Sequence, residues 1–156
     1  LDPPYWHAIH VEDNLFLVIE MNRSLRSRGN GDVGKILEEP GLQKLTRAKA
    51  YTLSGGERRR LEIARSLVAA PEFMLLDEPF TGIDPLAILD LQEIILSLKS
   101  KKIGVLLTDH NVREALKITD RAYIIDKGRI LKEGSPQELV LSGEVRKSYL
   151  GEDFSF

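Results

Sequence analysis

Beyond residue 70 the sequence alternates between short apolar runs and segments of helical period, and this alternation limits the folds open to it more than any other feature. Residues 73–76, 103–107 and 122–125 are apolar runs too short for helices. Between the first two, residues 86–98 place Leu91, Ile94, Ile95 and Leu98 at the spacing of one helix face, and residues 112–118 form a shorter helix before the third run. Strands alternating with helices predict an α/β layer built on a parallel sheet. The runs show no alternation of apolar with polar residues, so both faces of the sheet are expected to be covered by helices. Residues 129–131 offer a fourth strand after a Lys127-Gly128 turn. Ser135, Pro136 and Glu138 then combine an N-cap, a proline at the first helical position and a capping-box acid, which starts a final helix.

The preceding residues read differently. Residues 1–10 carry prolines and aromatics and form an irregular arm. Residues 11–28 are helical, with Leu15, Val18, Ile19 and Leu25 near one face, and the glycines of 29–34 break that helix. A short helix over 33–39 stops at Pro40-Gly41, and a longer one over 57–69 puts Leu61, Ala64, Leu67 and Val68 together. The organisation is therefore an arm with a helical subdomain (1–50), an α/β core (51–134) and a C-terminal helical tail (135–156).

Composition narrows the function. The 156 residues are 42% hydrophobic and 29% charged, which excludes a disordered or collagen-like chain. A net charge of -2 gives no strong field for nucleic acid, and Arg58-Arg59-Arg60 reads as a solvated helix face. With no cysteine there is no disulfide scaffold, thiolate metal site or thiol nucleophile. No apolar run approaches the ~18 residues that span a bilayer. Leu1 to His10 lacks the basic end and apolar stretch of a signal peptide. His7 and His10 have no metal-ligand pattern.

Four segments carry possible chemistry. The 73–76 run ends in Asp77-Glu78, two carboxylates at the usual ligand edge of a parallel sheet. One suits a hydrated Mg²⁺ and the other an attacking water, although solvated acids at a strand end explain them equally. Leu53-Ser54-Gly55-Gly56-Glu57 offers backbone amides and a helix N-terminus to an anion, while Ser54 and Glu57 also make an ordinary capping box. Asp84-Pro85 is explained locally as a cap with proline behind it. Thr108-Asp109-His110-Asn111 follows the second strand, where a histidine contacts a phosphate or merely precedes a helix.

Taken together and in this order, the four segments resemble the second half of an ABC-type ATPase domain. LSGGE at 53–57 is similar to its signature, 73–78 to its Walker B strand and catalytic acid, Thr81 to Asp84 to its D-loop, and His110 to its switch histidine. Within the family, Val11-Glu12-Asp13-Asn14-Leu15, Asp109 to Glu114, Arg121 to Ile124 and Tyr149 to Phe154 resemble the lipopolysaccharide-export branch, with the branched-chain amino-acid importers as close relatives. The resemblance implies that Asp77 helps hold Mg²⁺, that Glu78 acts on the attacking water and that His110 touches the γ-phosphate. It also implies that Ser54, Gly55, Gly56 and Glu57 face ATP bound to an opposite subunit, and that Asp84 links two sites across a head-to-tail dimer. Residues 11–50 would form the groove for integral membrane transporter subunits, placing the chain on the cytoplasmic side of the inner membrane as a peripheral subunit.

The family's Walker A loop and adenine-stacking aromatic have no counterpart in these 156 residues, and Leu1 aligns at or beside the Q-loop glutamine. Gly29 to Lys35 fits G-x-x-x-x-G-K, but no buried strand precedes it and Ile36 stands where a hydroxyl would meet Mg²⁺. The isolated chain is therefore expected neither to hold nor to hydrolyse ATP unaided. In the family the Walker A strand lies between the strands matching 103–107 and 122–125, so unpaired strand edges and an uncovered apolar face are expected. Two rivals remain: a non-catalytic module that docks on a transporter or a complete ATPase, and a soluble ABC ATPase of DNA repair or translation. Residues 11–50 lack the sustained heptads of the coiled coil that repair proteins carry.

Overall fold

The computed structural model describes residues 5–22, 25 and 33–150. They fall into two compact units. The first comprises Leu1–Leu75 and Gly82–Leu106, the second Leu76–Thr81 and Leu107–Phe156.

The first unit is led by helices. α1 (Tyr5–Ala8) turns once inside the arm expected to be irregular. α2 (Val11–Met21) ends earlier than its apolar period suggests, because Asn22 adopts an extended backbone (φ -108°, ψ 106°) and closes the last turn onto the Ile19 carbonyl. α3 (Val33–Glu38) begins on Val33-Gly34-Lys35, so the end of the G-x-x-x-x-G-K segment is the first turn of a helix. Its earlier residues, 29–32, lie outside the described residues. α4 (Gly55–Leu67) and α5 (Pro85–Ser100) complete the set. Val11, Leu15 and Ile19 of α2, Leu37 of α3, and Leu61 and Ala64 of α4 close one apolar core with Leu42, Ala50 and Leu53 from the connections. The fully buried Asn14 is satisfied: its Nδ2 donates to the carbonyls of Trp6 (3.1 Å) and His10 (2.9 Å), tying α1 to α2. The Arg65 guanidinium lies 4.8 Å from the centre of the Trp6 ring, which joins the arm to α4.

β1 (Phe73–Asp77) and β2 (Gly104–Thr108) pair in parallel, as the alternation predicts. The Gly104 N–H donates to the Glu72 carbonyl at one end, and the Glu78 N–H donates to the Thr108 carbonyl at the other. The expected cover on both faces is not met. Met74 is buried, but Phe73 and Leu75 are each 75% exposed and Leu106 is 60% exposed. No helix among the described residues covers them, and the result is the uncovered apolar face expected above. A Cβ on Gly104 would stand 2.4 Å from the Phe73 ring, so a larger residue there would displace that exposed side chain.

The second unit holds the site loops, α6 (Val112–Leu116), a hairpin and the C-terminal helices. The possible fourth strand forms, and it pairs antiparallel rather than extending a parallel sheet. β3 (Ala122–Asp126) and β4 (Arg129–Gly134) run from Ala122↔Gly134 to Asp126↔Arg129 with an irregularity between Ile124 and Ile125. Lys127 (φ 46°) and Gly128 (φ 75°) are both left-handed, which is the backbone of a tight two-residue hairpin turn. α7 (Pro136–Leu141) starts where the sequence placed it: Ser135 accepts from the Glu138 N–H, and Glu138 reaches back to the Ser135 N–H at 2.8 Å. Leu116, Ile124, Leu139 and Val145 form this unit's core, and the Tyr149 hydroxyl donates to the Ile125 carbonyl at 2.8 Å.

Candidate functional site

The sequence-predicted residues separate into two groups, one in each unit. In the second unit the parallel pairing of β1 and β2 brings their C-terminal ends together. The Thr108 hydroxyl donates to Asp77 Oδ1 at 2.5 Å, which fixes the carboxylate across the strand pair. Glu78 follows in the left-handed region (φ 46°), where a side-chain-bearing residue is held at a cost of about 1–2 kcal/mol. Its N–H donates to the Thr108 carbonyl (2.8 Å) and its carbonyl accepts from the Thr81 N–H (3.2 Å). The Thr81 hydroxyl donates to Glu78 Oε2 at 3.3 Å, and His110 Nδ1 lies 3.5 Å from Oε1. Both side chains of the Glu78–His110 pair are more than half exposed, so a small anion reaches them from solvent.

Asp109 joins the two loops. Its Oδ2 accepts from the Phe80 N–H at 2.9 Å, and its Oδ1 accepts from the Asn111 N–H at 2.7 Å. Thr81, Thr108 and Asp109 lie within the motifs, and the sequence alone assigns them no role. The signal for Thr108 and Asp109 is a hydroxyl or carboxylate at the end of the strand that pairs with the acidic one, whereas Thr81 is a hydroxyl three residues after Glu78.

In the first unit, Ser54 caps α4. Its hydroxyl accepts from the Glu57 N–H at 3.3 Å, and Glu57 Oε2 accepts from the Ser54 N–H at 2.8 Å. The capping box is therefore real, and the glycines have a packing reason as well. A Cβ on Gly56 would stand 2.5 Å from the Ala87 Cβ, and one on Gly55 would stand 3.2 Å from Ile83 Cγ2. The signature segment is thus seated against Gly82 to Ala87, where Asp84 caps α5 by accepting from the Leu86 (3.1 Å) and Ala87 (3.0 Å) N–H groups. The three arginines that follow are engaged within the unit: Arg58 with the Leu53 carbonyl, Arg59 with Glu62, and Arg60 with Asp90.

Asp77 fits a hard divalent cation of the Mg²⁺ type, which one or two carboxylates share with water and phosphate oxygens. An all-protein metal cage is a different matter: among the described residues no three His, Asp or Glu groups converge on one point. The second-unit group can orient a water and meet an anion. The first-unit group presents a capped helix N-terminus behind two close-packed glycines.

Comparison with known proteins gives the family of the chain. The family model described as ABC transporter matches residues 3–81, just over half of the chain. A probable ABC transporter ATP-binding protein of Azorhizobium caulinodans is 49% identical over 149 residues, covering 96% of this chain and 53% of that protein. The lipopolysaccharide export system ATP-binding protein LptB of Escherichia coli is 44% identical over 150 residues, covering 96% of this chain and 62% of that protein. The protein of the same name from Acidithiobacillus ferridurans is 46% identical over 153 residues, covering 98% and 64%. The chain therefore spans between about half and two thirds of the length of these relatives. Among solved structures, an ATP-binding cassette of an ABC transporter in its ADP conformation superposes with a TM-score of 0.80 at 29% identity, covering 97% of this chain and 66% of that one.

Proposed function

The chain belongs to the ABC transporter family of ATP-binding subunits, and from that premise we propose that it supplies the hydrolytic and signature elements of the ATP-driven motor for lipopolysaccharide export. The observation that carries the reading is the meeting of Asp77, Glu78 and His110 at the adjoining ends of two parallel strands, with Glu78 and His110 3.5 Å apart. The export assignment is supported by the 44–46% identity to lipopolysaccharide-export proteins along nearly the whole chain.

Asp77, oriented by Thr108, holds Mg²⁺, which when bound neutralises charge on the phosphate oxygens. Glu78 Oε1 and Oε2 orient the attacking water and take its proton as it adds to the γ-phosphate in line with the leaving oxygen. His110 donates to a γ-phosphate oxygen and so stabilises charge that grows in the transition state. Ser54 and the backbone at Gly55 and Gly56, set at the N-terminus of α4, face the γ-phosphate of a nucleotide held by a second, head-to-tail subunit. Asp84 sits next to that segment and passes closure from one site to the other. The helical part, residues 11–50, receives the membrane subunits, which places the chain as a peripheral subunit on the cytoplasmic side of the inner membrane. Among the described residues no helix is long and apolar enough to cross it.

Phosphate affinity in this fold comes from a glycine-rich loop and its lysine. The one G-x-x-x-x-G-K in the chain ends in the first turn of α3 and is followed by Ile36. Equilibrium binding of Mg-ATP to the purified chain, with Lys35→Ala as control, is thus expected to show nothing at micromolar nucleotide. Adding the matching N-terminal segment of the Azorhizobium relative in trans is expected to restore binding and slow hydrolysis. Glu78→Gln should then cut turnover by about 10²–10⁴-fold while sparing binding. Micromolar binding by the chain alone would overturn the expectation that it contributes only signature and Walker B residues, and loss of that binding in Lys35→Ala would make the 29–35 segment a phosphate site. The alternative, a non-catalytic docking module, is favoured if wild type never turns over but still binds a transporter.

A further inference from the structure

We propose that Asp109 is a positioning residue for the Glu78–His110 pair, holding the two loops that carry them in register through its two carboxylate oxygens. The proposal rests on the reading that Glu78 and His110 act together on the γ-phosphate.

One of its two bonds is unremarkable on its own. The Asn111 N–H to Oδ1 contact at 2.7 Å spans two residues and is the local turn that aspartates commonly make before a helix. The other crosses 29 residues of sequence to the Phe80 N–H at 2.9 Å. Phe80 is 3% exposed, so that amide needs a partner inside the protein, and the half-buried Asp109 supplies it. The two donors lie on either side of the chemistry, Phe80 two residues after Glu78 and Asn111 one residue after His110.

The Glu78 turn needs such a hold. Its left-handed backbone is unfavourable for a residue with a side chain and persists only where neighbouring contacts over-determine it. Three contacts do so: the Glu78 N–H to the Thr108 carbonyl, the Thr81 N–H to the Glu78 carbonyl, and the Phe80 N–H to Asp109. The first and third end on consecutive residues of the His110 loop, so the turn and the loop cannot shift separately. With one bond from a charged acceptor on each side, a small displacement of either loop would open the 3.5 Å approach of Glu78 to His110.

The chemistry of the clamp separates it from simple space-filling. Both partners are N–H donors, so both oxygens must accept. Asp109→Asn keeps the volume but turns an NH₂ toward one of the two amides, and it should fail much as Asp109→Ala does. Three measurements test this on the chain alone and on the chain supplied with its relative's N-terminal segment. In hydrogen exchange, the Phe80 or Asn111 amide should exchange roughly ten- to a hundredfold faster in Asp109→Asn, the range that a bond to a charged acceptor supports, with core amides such as Ile124 unchanged. By NMR, Glu78→Gln should perturb the His110 ring nitrogens when Asp109 is present and much less when it is Asn or Ala. In turnover, kcat should fall by about ten- to a hundredfold with KM for ATP within about twofold. A wild-type-like Asp109→Asn in exchange and NMR would overturn the clamp, as would a loss spread evenly over all amides. An absence of turnover in wild type would instead sink the functional reading, and exchange and NMR would still decide the clamp.

Discussion

Gly56 gives the sharpest test of whether the signature glycines are kept for packing as well as for anion binding. A Cβ there would sit 2.5 Å from the Ala87 Cβ, against an ordinary carbon–carbon contact of about 3.5–4.0 Å. Gly56→Ala must therefore push the start of α4 and the start of α5 apart by about 1 Å. Overpacking of this kind costs about 1–3 kcal/mol. Replacing a helical glycine by alanine returns roughly 0.5–1 kcal/mol, which leaves a net loss of up to about 2.5 kcal/mol, centred on about 1–1.5 kcal/mol. At this chain length that lowers Tm by roughly 3–6 °C. Ala87→Gly alone should cost up to about 1 kcal/mol through helix propensity. In the double variant the clash is gone and the two propensity changes offset each other, so its stability should return to within about 0.5 kcal/mol of wild type. Thermal and urea unfolding of all four proteins gives the coupling energy directly. If Gly56→Ala is as stable as wild type, or the double variant merely sums the two single losses, the packing argument is wrong and Gly56 is free to be explained by nucleotide alone.

Three further outcomes follow from local structure. Lys127→Asn should raise Tm by about 1–4 °C, because asparagine tolerates the left-handed φ of 46° and completes the Asn-Gly pair favoured in this turn. Burial pushes the Glu39 carboxyl up, but hydrogen bonds from Lys101 and Ser97 together with the Lys101 charge outweigh it and hold its pKa below the ordinary value. A lowered folded pKa means that this contribution is complete above the unfolded value near 4.5 and is lost as pH falls through the folded one. Glu39→Gln should accordingly cost roughly 1 kcal/mol at neutral pH and flatten the acid limb of a stability–pH curve. Glu138 has the same sign, its carboxyl lowered first by the Ser135 backbone hydrogen bond and then by the hydroxyl, so Ser135→Ala should make the α7 amides exchange faster at pH 7 and weaken, without removing, the acid dependence of their protection.

What the sequence made legible, and what it did not, has a consistent physical cause. Short-range signals were sufficient wherever a bond closes within a few residues: the Ser54–Glu57 and Ser135–Glu138 boxes and the Asp84 cap all stand where the spacing puts them. Asn22 shows the limit of periodicity, since Leu25 still joins the core after α2 has ended, so an apolar face persists across a break in the helix. The fourth strand and the Lys127-Gly128 turn before it were both visible; the left-handed backbone of Lys127, which makes the turn tight enough for antiparallel pairing, was not. The contacts that stayed hidden are those between residues far apart in the chain. Gly56 meets Ala87, Thr108 meets Asp77, and Asp109 meets Phe80. Each of these lies against a motif residue or the turn that follows one, and bears on conformation rather than on chemistry. The motif letters therefore say which groups react, whereas the residues that hold those groups in place are read only once the strands are paired. That is why Asp109, one position before the most recognisable histidine in the chain, had no role until its second oxygen was found on the amide of Phe80.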